Sequence, residues 1–191
     1  MEKGRLEAFS DGVFAVIITI MVLELKVPQG SDLAALRPVI PVFLSYVLSF
    51  VFVAIYWNNH HHMLQAARKV NGAVLWANLH LLFWLSFVPF ITVWMGENHR
   101  VVLPVALYGS VLFLSGLAYY ILSRKLIAVN GEESALAKAL GKDFKGRLSL
   151  GIYAFAVALS FVHTWISIAL YISVAVMWFI PDPRIEHAIS E

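Results

Sequence analysis

Long apolar runs separated by short polar turns dominate the chain. A membrane-spanning helix needs about 20 mostly apolar residues, and that ruler marks six segments, at roughly 5–27, 38–64, 72–95, 101–123, 147–163 and 165–181. Polar punctuation separates them. Pro28-Gln29-Gly30-Ser31-Asp32 follows the first, Ala67-Arg68-Lys69 the second and Gly96-Glu97-Asn98-His99-Arg100 the third. The last two segments divide one apolar run, Leu148 to Ile180, which is too long for one crossing and is broken at His163-Thr164-Trp165. If that run were one bent helix, the count would fall to five and the C-terminus would change sides. The polar stretch from Ser123 to Arg147 predicts a loop with a short amphipathic surface helix. The expected fold is therefore all-α, one domain over residues 1–191 with six transmembrane helices.

Composition removes the soluble alternative. Sixty per cent of the residues are hydrophobic and 14% are charged, against roughly 45–50% and about 25% in soluble domains. The charged residues sit in a few short stretches and cannot coat a globule, so membrane lipid is the expected surrounding. The first apolar run contains Asp11, ends with Glu24 and Lys26 and lacks a small-residue cleavage site, so no cleavable signal peptide is expected. With no cysteine in the chain, disulfides, thiolate metal sites and cysteine nucleophiles are excluded. A formal net charge of +2, scattered over loops, points to no nucleic-acid partner.

The placement of charge sets the orientation. A cytoplasmic N-terminus puts Lys3, Arg5, Arg68, Lys69, Arg124, Lys125, Lys138, Lys142, Lys145, Arg147 and Arg184 inside, against Lys26, Arg37 and Arg100 outside. The expectation is a multi-pass protein of the cell (plasma) membrane with both termini cytoplasmic. Trp94 and Trp178 near span ends fit an interfacial aromatic belt.

The first span carries the most information. Asp11 lies about two turns into an otherwise apolar helix, where insertion costs about 2.5–3.5 kcal/mol, so it should face protein and have a partner. Arg5 and the histidines and asparagines of the second and third spans are the candidates. At about 100° per residue, Val16, Ile20, Leu23 and Val27 share one face, with Thr19 flanking it, and Asp11 projects about 140° from Val16. Polar group and aliphatic stripe therefore meet different neighbours. By itself the stripe reads as ordinary helix packing or lipid contact.

The segment Arg5-x-x-x-Phe9-Ser10-Asp11 followed by an aliphatic run resembles the first-helix motif of the transmembrane protein 175 family of potassium-permeable channels. The likeness extends to six short-looped spans, to Trp57 and His60-His61 in the second helix and to Trp76, Asn78 and Pro89 in the third. The resemblance implies one six-helix unit per chain and a homotetramer whose first helices line a central pore. It implies that Arg5, Phe9, Ser10 and Asp11 anchor a hydrogen-bonded network with Trp57, His60, His61 and Asn78 and do not bind the permeant ion. The family's constricting rings map onto Val16, Ile20 and Leu23, with valine replacing the family's larger residue at the innermost ring. Thr19 matches a hydroxyl position beside the ion path.

No Thr-Val-Gly-Tyr-Gly carbonyl filter occurs, so selectivity among monovalent cations has to arise otherwise, and a modest preference for potassium over sodium is expected. Three consecutive helical histidines, His60-His61-His62, point about 100° apart and cannot converge on one ion within a chain, so no metal site and no cofactor are expected. Phosphate loops, nucleophile elbows and paired carboxylates in an aqueous cleft are lacking, and no enzyme is expected. Two other readings use the same residues. Asp11 as a proton relay would make the chain a proton-coupled transporter or proton leak, and a membrane scaffold would carry no flux at all. Pro89 is expected to shape or hinge the third helix.

Overall fold

A computed structural model describes residues 3–140 and 143–179. The described residues form α1 (Lys3–Leu23), α2 (Ile40–Ala66), α3 (Gly72–Leu85), α4 (Val88–Glu97), α5 (Val102–Asn130), α6 (Ala135–Leu140), α7 (Phe144–Ser160) and α8 (Thr164–Phe179), with one 3-10 turn at Leu33–Leu36. Among the described residues, four stretches are long and apolar enough to cross a membrane: α1, α2, α3 together with α4, and α5. The remaining pair, α7 and α8, have 17 and 16 residues. Lys142 and Arg184, assigned above to the inner side, lie outside the described residues, as does the last predicted span beyond Phe179.

Local chemistry accounts for the boundaries. α1 gives way to a segment with Pro28 and with Gly30 at φ +137°, and Asp32 caps the following 3-10 turn by accepting from the Ala35 amide at 3.1 Å. Asn71 caps α3 in the same way, accepting from the Val74 amide at 3.0 Å. Where one third helix was expected over 72–95, two helices occur. Proline at position 89 has no N–H to return to the Leu85 carbonyl, and the chain turns at Ser86-Phe87 before α4 resumes. The fourth span reaches beyond the expected end at Ser123 to Asn130. There the Asn130 side chain accepts from the Arg68 and Lys69 amides at 2.8 and 2.9 Å and donates to the Lys69 carbonyl at 3.0 Å, fastening the end of α5 to the α2–α3 turn.

The apolar run from Leu148 is divided at Phe161–His163, just before the expected break. α7 and α8 form an antiparallel hairpin held near both ends. Trp178 donates from Nε1 to Ser149 Oγ at 2.9 Å, and Ser167 donates to the Ala156 carbonyl at 2.7 Å. Across the bundle, α2 runs antiparallel to α1 and α4 and parallel to α5, as the pairs Trp57–Asp11, Ser49–Thr92 and Ser49–Tyr108 and Tyr119–Asn59 require. Phe52 and Val53 of α2, Leu81 and Leu85 of α3 and Leu112 and Leu122 of α5 are fully buried between these helices.

Close backbone approach fixes the crossing of α2 and α4. Gly96 of α4 lies against Val42 and Ser45 of α2, where an added Cβ would stand 2.7 Å from the Val42 Cα. Small residues at such crossings let helices approach in lipid, where no hydrophobic force drives them together.

Candidate functional site

α1 has two edges of opposite character. Leu6, Ser10, Phe14, Ile17 and Met21 are buried against the rest of the chain. Val16, Ile20 and Leu23 point away from it, with Leu23 80% exposed, while Val27, expected on the same helical face, lies in the chain beyond the end of α1. Thr19 is exposed beside them, and its hydroxyl donates to the Val16 carbonyl at 2.9 Å. That bond occupies the hydroxyl proton and leaves oxygen lone pairs facing outward. An open groove between α1 and α4 runs alongside, lined by Phe9, Val13, Val16, Ile20, Phe90 and Trp94. At the end of the groove nearest the C-termini of both helices, Lys26 and Glu97 form an exposed ion pair at 2.6 Å, joining the chain after α1 to the end of α4.

The buried edge carries a three-helix hydrogen-bond chain. Ser10 Oγ donates to the Leu6 carbonyl at 2.8 Å and accepts from Asn78 Nδ2 at 2.9 Å. The Asn78 oxygen lies 2.7 Å from His60 Nε2. Because the amide nitrogen is committed to Ser10, that oxygen is the acceptor and Nε2 carries the proton. His60 also packs against Phe14, with ring centroids 5.5 Å apart. Ser10, His60 and Asn78 are all fully buried, so the chain α1–α3–α2 is closed to competition from water. Each bond adds about 0.5–1.5 kcal/mol, and an unmatched buried partner costs about 1–3 kcal/mol.

Asp11 is handled separately. Its Oδ1 accepts from Trp57 Nε1 at 2.9 Å, at the half-exposed margin of the same interface, and His61 stacks on Trp57 at 5.7 Å and 22°. Ser10, His60 and Asn78 thus share one cluster, and Asp11, Trp57 and His61 a second beside it. Arg5 and Phe9 join neither; both are exposed, and among the described residues Arg5 has no partner in its own chain. Asn58 is exposed as well, and Asn59 turns back to the Ile55 carbonyl at 2.8 Å. Among the described residues no group of three or more histidine and acidic side chains could hold a metal ion.

The sequence reading missed a further buried cluster. Thr92 of α4 donates to Ser49 Oγ or to the Val88 carbonyl, at 2.7 and 2.6 Å, and Ser49 lies 2.9 Å from the Tyr108 hydroxyl of α5. It knits α4 and α5 to the N-terminal half of α2 as the histidine cluster knits α1 and α3 to its C-terminal half. Ser49 and Thr92 inside apolar spans were the available signal. Lys3 was missed too: its ammonium donates to the Leu64 and Ala67 carbonyls at 3.0 and 3.1 Å, closing the C-terminal end of α2.

Comparison with known proteins places this arrangement. Residues 5–89 match the family described as endosomal/lysosomal potassium channel TMEM175. A potassium channel of Chryseobacterium sp. (strain P1-3) is 54% identical over 100% of both chains. The crystal structure of a lysosomal potassium-selective channel TMEM175 homolog from Chamaesiphon minutus superposes with a TM-score of 0.79 at 30% identity, covering 94% of this chain and 97% of that one. The endosomal/lysosomal proton channel TMEM175 of Homo sapiens is 35% identical over 47% of this chain and 20% of its own length.

Proposed function

The chain belongs to the TMEM175 family, a family of ion channels and not of enzymes, and from that premise we propose that it is a homotetrameric, potassium-permeable cation channel. Each protomer contributes six membrane passes, with α7 and α8 as the two shorter ones, and both termini face the cytoplasm of a cell that carries the channel in its plasma membrane. The basic residues near the span ends support that orientation. The four α1 helices line a central pore. The observation that carries this reading is the aliphatic edge of α1: Val16, Ile20 and Leu23 are exposed in a helix whose opposite edge is fully packed.

The pore works by apolar obstruction. A ring of Ile20 or Leu23 side chains offers a passing ion nothing to replace its hydration shell, so a narrow ring dewets and closes, and conduction requires widening. Val16 is the smaller member, and its ring constricts less. Thr19 supplies the polar exception, because its outward lone pairs give a cation partial coordination beside the rings. Partial coordination supports a modest preference for potassium over sodium. The clusters around Asn78 and Asp11 hold the packed edge of α1 in place, and Arg5 and Phe9, unoccupied within the chain, are directed to the neighbouring subunit.

Proteoliposomes with potassium, sodium and proton gradients test the proposal. A channel carries passive current that reverses near the potassium equilibrium potential, and Ile20→Ala and Leu23→Ala should each raise resting flux. Unchanged flux in both variants removes these rings from the gate. A second reading has its own support, since the human relative is named a proton channel and Asp11 is an intramembrane acid: protons leak or drive transport through Asp11. Flux that follows the proton gradient and disappears in Asp11→Asn favours it. A protein that reconstitutes fully and carries no ion is a scaffold.

A further inference from the structure

The aliphatic edge of α1 ends at Leu23, but the chain does not run free from there. The Glu24 amide donates to the Ile20 carbonyl and the Leu25 amide to the Val22 carbonyl, each at 3.2 Å, so the backbone stays coiled from Ile20 to Leu25. One residue further, Lys26 Nζ reaches Glu97 Oε1 on the last residue of α4 at 2.6 Å. Beyond Lys26 the regularity is lost, through Pro28 and through Gly30 at φ +137°. Among the described residues, the Lys26–Glu97 pair is the one hydrogen bond or ion pair that ties residues 24–37 to a helix other than the two they connect.

The two ends of this link are held very differently. Glu97 directly follows Gly96, whose backbone is seated on Val42 and Ser45 of α2, and one turn earlier Thr92 Oγ1 lies 2.7 Å from Ser49 Oγ. α4 is therefore a fixed support. The end of α1 has no such seat: its last buried side chain is Met21, and Leu23 is exposed. The ion pair thus lies between the constricting residues and an irregular turn, and it fastens the looser partner to the firmer one.

We infer that Lys26 and Glu97 are positioning residues for the constriction: their ion pair holds the end of α1 against α4 and keeps the Ile20 and Leu23 rings in their obstructing place. The inference rests on the reading of α1 as the pore helix. A dewetted ring conducts only in its widest excursions, and an untethered end samples a broader range of positions, so loss of the pair raises resting flux. Folding is little affected, because the two side chains are 80% and 42% exposed and exposed pairs contribute little to stability. A charge that merely sat at the mouth of the pore would act otherwise, since a more negative mouth concentrates cations and a more positive one repels them.

Resting potassium flux from proteoliposomes of the full chain tells the two apart. Lys26→Glu and Glu97→Lys should each raise it about threefold with the melting temperature of wild type. The double variant with the charges exchanged should return to the wild-type rate, and Lys26→Arg should keep it. Lys26→Gln and Glu97→Gln repeat the test without bringing like charges together, and both should also leak. Opposite signs, with flux rising in Lys26→Glu and falling in Glu97→Lys, mean electrostatic focusing and overturn the tether. Unchanged flux in the single variants, or an exchanged double variant that stays leaky, overturns it as well. Leu23→Ala measured alongside keeps the two readings apart: if it leaks while the charge variants do not, the tether fails and the gate stands. If Ile20→Ala and Leu23→Ala both leave flux unchanged, the gate fails and the tether with it.

Discussion

The two edges of α1 differ less in composition than in consequence. One edge, Leu6-Ser10-Phe14-Ile17-Met21, is sealed against α2, α3 and α4, while the other, Val16-Ile20-Leu23, faces away. Both are largely aliphatic, and lipid is as apolar as a packed interior, so hydrophobicity does not choose between them. The difference is made by one small polar residue. Ser10 has a partner in Asn78 and through it in His60, and that chain can close only when this edge is turned inward. The exposed edge offers no polar group that would penalise exposure to acyl chains or to a neighbouring helix.

If packing distinguishes the edges, substitutions on them should separate cleanly in thermal unfolding of the detergent-purified protein. Phe14→Ala should be the most damaging, by about 3 kcal/mol, because the void stays unfilled even though lipid reduces the transfer part of the loss. Asn78→Leu should follow at about 2 kcal/mol, stranding the His60 N–H and taking from the Ser10 oxygen the donor it accepts from. A melting temperature equal to wild type in Asn78→Leu would mean that the cluster does not hold the edge. Trp57→Phe, which keeps the ring and drops the Nε1 bond to Asp11, should cost about 1 kcal/mol. Its complement sharpens the point: Asp11→Asn retains an acceptor for Trp57, so the protomer should melt nearly as wild type while expression or assembly falls, and a well-assembled variant with altered permeability ratios would put Asp11 in the ion path instead. Leu23→Ala on the open edge should shift protomer stability least, within about 0.5 kcal/mol, while resting flux rises. A large loss of stability there would dissolve the distinction between the edges.

Much of this molecule is legible in its residues, for identifiable reasons. Helical spans could be ruled off because lipid demands about 20 apolar residues per crossing and satisfies no open backbone, and the turns at Pro28–Asp32 and Ala67–Lys69 declare themselves. The interruption at Ser86-Phe87 lies two to three residues before Pro89, near enough to be anticipated as a kink and too dependent on the packing of α4 against α2 to be read as two helices. Asp11 had to have a partner, but its identity was not readable. Arg5 was the electrostatic candidate, and Trp57 holds the bond. Ser49, Thr92 and Tyr108 were passed over because isolated hydroxyls in apolar runs bond to their own helix as readily as to another.

The sequence alone determined that the chain lives in a membrane, that it is helical, and that its N-terminal helix bears both a polar motif and an aliphatic stripe, since these follow from counts and periods along one strand of residues. Tertiary structure decided which hydroxyl meets which amide and which edge of α1 is closed. Partner choice depends on which helices become neighbours and at what depth they cross, and that relation belongs to no single segment of the chain.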